Sequence, residues 1–140
     1  MQDVSITFRI DLAPHCSIGP GKIALLERIE AGGSLSQAAR TMRMSYRRAW
    51  LLLEDLNTSF QQPVARLNVG GRGGGGAAVT AFGAQLVLAY RALETNFHSR
   101  ARSAFKGIAT AVTSQTRERA PVAKRRINRS AARARSHPQR

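Results

Sequence analysis

Ser34-Leu35-Ser36-Gln37-Ala38-Ala39-Arg40, then Thr41-Met42-Arg43-Met44, then Ser45-Tyr46-Arg47-Arg48-Ala49-Trp50-Leu51-Leu52-Leu53-Glu54-Asp55-Leu56-Asn57, is the stretch on which the fold turns. Ser34 and Gln37 have capping-box spacing, in which each side chain can satisfy a free backbone N–H of the other. A short helix is therefore predicted from Leu35 to about Met42. Its inner residues, Ala38 and Ala39, are small enough to let another helix approach closely. Ser45 can cap a second helix, Tyr46 to about Asn57, whose inner stripe is Ala49, Leu52, Leu53 and Leu56. Two short helices, a tight turn and small residues at the crossing make a helix-turn-helix.

The flanks extend this unit. Upstream, Val4, Ile6, Phe8 and Ile10 alternate with Ser5, Thr7 and Arg9, which predicts a half-buried strand. Asp11 to Gly19 reads as a connector. Pro20 or Gly21 opens a helix with the stripe Ile23, Leu26 and Ile29, stopped by Gly32-Gly33. Downstream, the segment Pro63 to Val69 can form a strand and Ala77-Ala78-Val79 a short partner. Between them, residues 70–76 hold six glycines in seven positions, too entropically costly for helix or regular strand, and read as a flexible hairpin tip. Thr80 caps a long helix from Ala81 to roughly Phe105. Phe82, Leu86, Ala89 or Tyr90, Leu93 and Phe97 recur along it at three- and four-residue steps. The fold class predicted is mainly α with a small β-hairpin: a winged helix-turn-helix over 1–80, a long helix over 81–106 and a basic tail over 107–140. Residues 117–140 carry nine Lys or Arg against one acid, Glu118, with Val122 and Ile127 as their only large aliphatics, so this part is expected to stay disordered.

Charge points to the partner. Lys and Arg number 22 against 8 Asp and Glu, a formal net charge of +14, which favours a polyanion through phosphate neutralisation and counterion release. An anionic membrane would attract the same excess. In a helix-turn-helix the N-terminal side chains of the second helix enter the major groove. Arg47 and Arg48 sit there, and arginine can donate two hydrogen bonds to guanine O6 and N7. Ser45 and Tyr46 can bond a base edge or a phosphate oxygen. Leu51 falls on the exposed side, able to touch a thymine methyl or a neighbouring chain. Trp50 is expected as a partly buried anchor of the helix. Glu54 and Asp55, near the far end, are expected to point away from phosphates. The glycine-rich tip reads as a wing, with Arg72 supplying charge and Gly73 close backbone approach. Arginine pairs are common on solvated helix ends; the surrounding architecture favours DNA contact. Ser36, Gln37 and Arg43, from the bracing helix and the turn, complete the expected DNA surface.

Other chemistries lack their signatures. Forty-three per cent of residues are hydrophobic but only 6% aromatic, so the core must be mainly aliphatic. A single cysteine, Cys16, allows no intramolecular disulfide and fits a cytoplasmic protein. No run of about 20 apolar residues is present to span a bilayer, and the N-terminus lacks a signal-like pattern. His15, Cys16, His98 and His137 have no zinc-like spacing, so no metal and no cofactor are expected. The glycines are not followed by Gly-Lys-Ser or Gly-Lys-Thr, against a nucleotide loop. No serine or cysteine stands in a recognisable nucleophile–base pattern with a histidine, and the chain is not expected to be an enzyme.

Three stretches, Gly19-Pro20-Gly21-Lys22-Ile23-Ala24-Leu25-Leu26, Gly33-Ser34-Leu35-Ser36-Gln37-Ala38-Ala39-Arg40 and Met44-Ser45-Tyr46-Arg47-Arg48-Ala49-Trp50, resemble the N-terminal DNA-binding domain of the molybdate-dependent ModE regulators. So do the wing at Gly70 to Gly76 and Thr80-Ala81-Phe82-Gly83 after it, and the resemblance covers about residues 3–97. It implies a LysR-like winged helix that dimerises and binds operator DNA. It implies a reading role for Ser45 through Leu51, and a dimer contact along the long helix, at Phe82, Leu86, Ala89, Tyr90, Leu93 and Phe97. Full-length members carry C-terminal molybdate-binding domains. This chain ends at Arg140 with a basic tail where those domains would begin, so no molybdate ligand is carried over and oxyanion sensing by the family's mechanism is not expected.

The leading expectation is a homodimer reading two half-sites of a palindromic operator, double-stranded DNA being the partner and no membrane being involved. A nucleoid-type architectural protein would share the fold and show less than about tenfold preference over random DNA. A ligand sensor or interaction module that had lost DNA binding would give no gel shift even at low salt.

Overall fold

The computed structural model describes residues 4–68 and 75–112. Among these, four helices and two small antiparallel hairpins follow in the order β1 (Ile10–Ala13), β2 (Cys16–Ile18), α1 (Pro20–Gly32), α2 (Leu35–Thr41), α3 (Tyr46–Ser59), β3 (Ala65–Leu67), β4 (Ala77–Val79) and α4 (Ala81–Ala109). The expected class, mainly α with a small hairpin and a long C-terminal helix, is what the structure has. The basic tail beyond residue 112, Val69 and most of the glycine-rich tip, Arg72 and Gly73 included, lie outside the described residues.

α1 is the central helix, packed against α2, α3, α4 and the wing strand β4. That explains why Leu25 is buried beside the anticipated Ile23, Leu26 and Ile29: a helix covered on several sides needs more than one apolar stripe. Pro20 opens α1 at its first turn. Gly33 ends it at φ 67°, a left-handed conformation that costs glycine nothing, and its N–H donates to the Ile29 carbonyl at 2.8 Å.

One half of the anticipated capping box forms at α2: Ser34 Oγ accepts the Gln37 backbone N–H at 3.0 Å, with no return bond from the Ser34 N–H to the Gln37 side chain. Leu35, Ala38 and Ala39 are buried against α1 and α3. The turn to α3 is a Schellman motif. Met44 N–H donates to the Ala39 carbonyl at 3.0 Å and Arg43 N–H to the Arg40 carbonyl at 3.1 Å. Arg43 occupies the left-handed position of that motif, at φ 55°, where glycine is the usual residue. Ser45 then caps α3 by accepting the Arg48 N–H at 3.1 Å.

The N-terminal expectation is corrected. The strand does not span Val4 to Ile10, and the connector is itself a hairpin. β1 and β2 pair with Ile10 opposite Ile18 and Asp11 opposite Ser17, and a bulge at Leu12 brings Ala13 opposite Cys16. Val4 to Ile10 keep the alternating burial that the sequence shows. Phe8, however, faces a helix rather than a strand. It stacks on Tyr90 of α4 with centroids 4.7 Å apart and meets Phe97 edge-on at 5.6 Å. Tyr90 Oη donates to the Phe8 carbonyl at 2.9 Å. A period of two reports one covered face, not what covers it.

β3 and β4 form the root of the wing, with Ala65 opposite Val79, Arg66 opposite Ala78 and Leu67 opposite Ala77. Several contacts fix this root. Asn57 of α3 donates from Nδ2 to the Ala65 carbonyl at 3.1 Å, and its Oδ1 accepts the Val64 N–H at 2.8 Å. Thr80 Oγ1 donates to the Pro63 carbonyl at 2.7 Å while accepting the Gly83 N–H at 3.1 Å, so one side chain caps α4 and ties it to the strand before the wing. Ala77 N–H donates to the Gly33 carbonyl at 2.8 Å, attaching β4 to the α1–α2 junction. Gly83 is buried where α4 meets this root; a Cβ there would collide with the Val64 carbonyl oxygen.

Candidate nucleic-acid interface

The inner residues of α3, Ala49, Leu53 and Leu56, are buried in the core, so the opposite face of the helix must look outward. Arg47, Arg48 and Leu51 are exposed there, Leu51 by 49%; Tyr46, three residues before Ala49 and past the end of the core, is 52% exposed at the start of the helix. Trp50 departs from expectation. It is 40% exposed and does not belong to the residues packed against the core, where the smaller Leu52 stands instead. The helix has only one inward stripe, and Ala49, Leu53 and Leu56 already fill it.

Around this face the structure gathers most of the residues anticipated from the sequence. Ser36 and Gln37 are exposed on the first turn of α2, and the Gln37 side chain lies against Gly32. Arg43 is exposed in the turn. Ser45 is exposed too, but its Oγ serves the N-cap. Between the starts of α2 and α3 and the wing root lies a cleft of about 280 Å³, lined by Leu35, Ser36, Tyr46, Leu67, Asn68 and Gly76 among others. The recognition-helix start and the wing root thus border one concavity. Arg72 and Gly73, expected beside it, fall outside the described residues.

Two residues at the wing root escaped the sequence reading. Arg66 is exposed on β3, on the face of the hairpin opposite to Ala65 and Leu67. Period-two alternation within Ala65-Arg66-Leu67 is the signal that could have found it. Asn57 sets the position of the wing relative to α3 through its two-sided amide. Nothing in a lone helical asparagine announces that.

The acids at the far end of α3 divide. Asp55 is withdrawn into an ion pair with Lys22 of α1, whose Nζ also donates to the Ser17 carbonyl at 2.8 Å. Glu54 is exposed; it follows Arg47 by seven residues and Leu51 by three, which puts it on the same outward stripe.

The long helix has its own division. Phe82, Leu86 and Tyr90, expected at a dimer contact, pack against the core of their own chain, because helical periodicity does not distinguish an inner partner from an outer one. Ala89, Leu93 and Phe97 remain exposed. Arg91 binds α4 to α1, donating from Nε to Glu27 at 3.2 Å and from Nη1 to Glu94 at 2.8 Å. The Glu27 hydrogen bond, more than the Glu94 one, raises the already high guanidinium pKa. Past Phe97 the stripe continues through Ala101, Phe105 and Ile108, of which Phe105 is 50% and Ile108 61% exposed.

Among the described residues no cluster of three or more His, Cys, Asp or Glu could hold a metal ion. No helix there is long and apolar enough to cross a membrane.

No family model matches the chain. Individual relatives do. The transcriptional regulator ModE of Haemophilus influenzae is 36% identical over 94 residues, 67% of this chain and 37% of that protein. ModE of Yersinia pestis is 41% identical over 90 residues, covering 64% of this chain and 34% of the relative. The molybdenum transport protein ModE of Azotobacter vinelandii is 40% identical over 90 residues, covering 64% and 33%. The matched part of the chain therefore spans about a third of the length of these relatives, which are named as regulators or a transport protein rather than enzymes. The winged helix-turn-helix is the part of the chain that is similar to these ModE proteins, consistent with an N-terminal ModE-like DNA-binding domain.

Proposed function

We propose that this chain is a sequence-specific transcriptional regulator that binds palindromic operator DNA as a homodimer in the cytoplasm. The observation that carries the reading is the outward face of α3. Three cationic or hydrogen-bonding side chains, Tyr46, Arg47 and Arg48, stand exposed at its start, and Tyr46 borders a cleft shared with the wing root. Arginine at that place suits the acceptor edge of guanine, and Ser36, Gln37 and Arg43 are near enough in the fold to position phosphates. With the wing tip, the site comprises Ser36, Gln37, Arg43, Ser45, Tyr46, Arg47, Arg48, Leu51, Arg72 and Gly73.

The dimer is supported by α4. Its apolar stripe is buried up to Tyr90 and then runs on, exposed, through Leu93, Phe97, Phe105 and Ile108. A stripe that outlasts its own core calls for a matching stripe, and a second copy of the chain supplies one in an isologous contact. Ala89, Leu93 and Phe97 of the expected dimer set, with Phe105 and Ile108, form that contact. Two-fold related α3 helices then enter successive major grooves about 34 Å apart.

Selection of bound sites from a random DNA pool, with the particle mass of the complex measured in parallel, tests both parts. An enriched inverted repeat bound by two chains is the expected result. Less than about tenfold enrichment over random DNA replaces the specific regulator with an architectural DNA-binding protein.

A further inference from the structure

Glu54 is an acid on the face of α3 where an acid is least expected. It is exposed, and among the described residues its carboxylate has neither an ion pair nor a hydrogen bond, whereas the adjacent Asp55 is held by Lys22. Arg47, Trp50, Leu51 and Glu54 are spaced i, i+3, i+4 and i+7, the spacing of a single helical stripe, and all four are exposed. If this stripe only neutralised phosphates, a free carboxylate on it would weaken binding to every DNA equally. The remaining chemistry for it is a hydrogen-bond donor inside the groove.

We infer that Glu54 is a specificity-determining residue that accepts a hydrogen bond from the N4 amine of a cytosine. This rests on the proposed entry of α3 into the major groove. An ionised carboxylate only accepts. In the major groove the donors are cytosine N4 and adenine N6, while guanine N7 and O6, adenine N7 and thymine O4 are acceptors that repel it. Adenine presents N7 beside its amine, so a carboxylate meets repulsion there; cytosine has no neighbouring acceptor on that edge. Seven residues of α-helix rise about 10.5 Å, the length of roughly three base pairs. Arg47 and Glu54 therefore read a guanine and a cytosine about three base pairs apart, with the apolar Leu51 and Trp50 facing the interval, where a thymine methyl suits them.

The test compares sites selected from a random DNA pool by the full chain and by its Glu54→Ala, Glu54→Gln and Arg47→Ala variants. All three substitutions fall at exposed positions, and thermal melting verifies that each variant is folded. The wild-type half-site should contain a C·G pair about three base pairs from the position that Arg47→Ala relaxes. Glu54→Ala should lose about tenfold or more of the preference at that pair alone, while binding random DNA at least as well as wild type. Glu54→Gln should move the same pair toward adenine, whose N6 and N7 suit a glutamine amide. Unchanged preference at every position in Glu54→Ala, with or without a uniform gain in affinity, overturns the inference while leaving the DNA-reading function standing. Absence of any enriched site for the wild type overturns that function itself.

Discussion

α3 and α4 both expose large apolar side chains, and they do so for opposite reasons. On α3, Tyr46, Trp50 and Leu51 are interleaved with Arg47, Arg48 and Glu54, so apolar and charged groups share the exposed side of the helix. On α4, Leu93, Phe97, Phe105 and Ile108 continue a stripe that is already buried in the first half of the helix. A mixed face matches a partner that offers phosphates, polar base edges and methyl groups together. A continuous apolar stripe matches another apolar stripe. Counting exposed hydrophobic residues would treat the two helices alike; their neighbours separate them.

The two helices also differ in how they are held. α3 is fastened along its whole length, by Ser45 at its start, by Lys22 through Asp55 and by Asn57 to the wing. α4 is rooted at one end, where Thr80 and Gly83 meet the strand before the wing and Arg91 meets Glu27. Its second half leaves the core. Rigid support suits a helix that must present side chains in register with base pairs, and an overhang suits one that must reach a second subunit.

The strongest way to break this contrast is at the root of α4. Gly83→Ala puts a Cβ against the Val64 carbonyl oxygen and within 2.9 Å of Val79 Cγ1. A loss of about 3 kcal/mol in folding stability is expected from denaturant melts, with wing and helix disturbed together. Next is the overhang. Ile108→Asp should leave the monomer's melting midpoint nearly unchanged but weaken self-association by about 30-fold or more, as read by sedimentation. An equal fall in monomer stability would place Ile108 in the chain's own fold. On α3, Arg47→Ala should cost about 2 kcal/mol on the preferred site and much less on random DNA, measured by competition binding.

Smaller effects sharpen the picture. Tyr90→Phe removes the hydrogen bond to the Phe8 carbonyl and should cost about 1 kcal/mol. Burial, reinforced by Glu94 and opposed by Arg91, raises the Tyr90 pKa above the ordinary tyrosine value. The folded state therefore keeps this proton where the unfolded chain gives it up, and wild-type stability should fall as pH rises past about 10. The Tyr90→Phe chain should lack that component of the alkaline slope. Arg43→Gly relieves a left-handed arginine and should stabilise the fold by up to about 1 kcal/mol, while lowering DNA affinity through the lost cation.

Much of this architecture is legible in local sequence. Ser34, Ser45 and Thr80 mark three helix starts, and each hydroxyl accepts a backbone N–H three residues on. Gly33 marks the end of α1, and Ala77 to Val79 form the strand anticipated for them. Such signals are readable because a cap or a positive φ is satisfied within a few residues of chain. The exposure of Arg47 and Arg48 follows in the same way, since they lie opposite the inner stripe of a single helix.

What required the folded chain is every partner far away in sequence. Phe8 alternates like a strand residue, yet its ring lies on Tyr90, 82 positions later. Phe82, Leu86 and Tyr90 share one periodicity with Leu93 and Phe97, yet the first three pack on the core while Leu93 is exposed and Phe97, 41% exposed, meets the edge of Phe8. Glu54 and Asp55 are adjacent acids, and only the approach of Lys22 from α1 gives them different fates. Short-range patterns specify which face of an element is apolar because neighbouring side chains share that face. They carry no information about which surface arrives to cover it, since that depends on how distant elements pack.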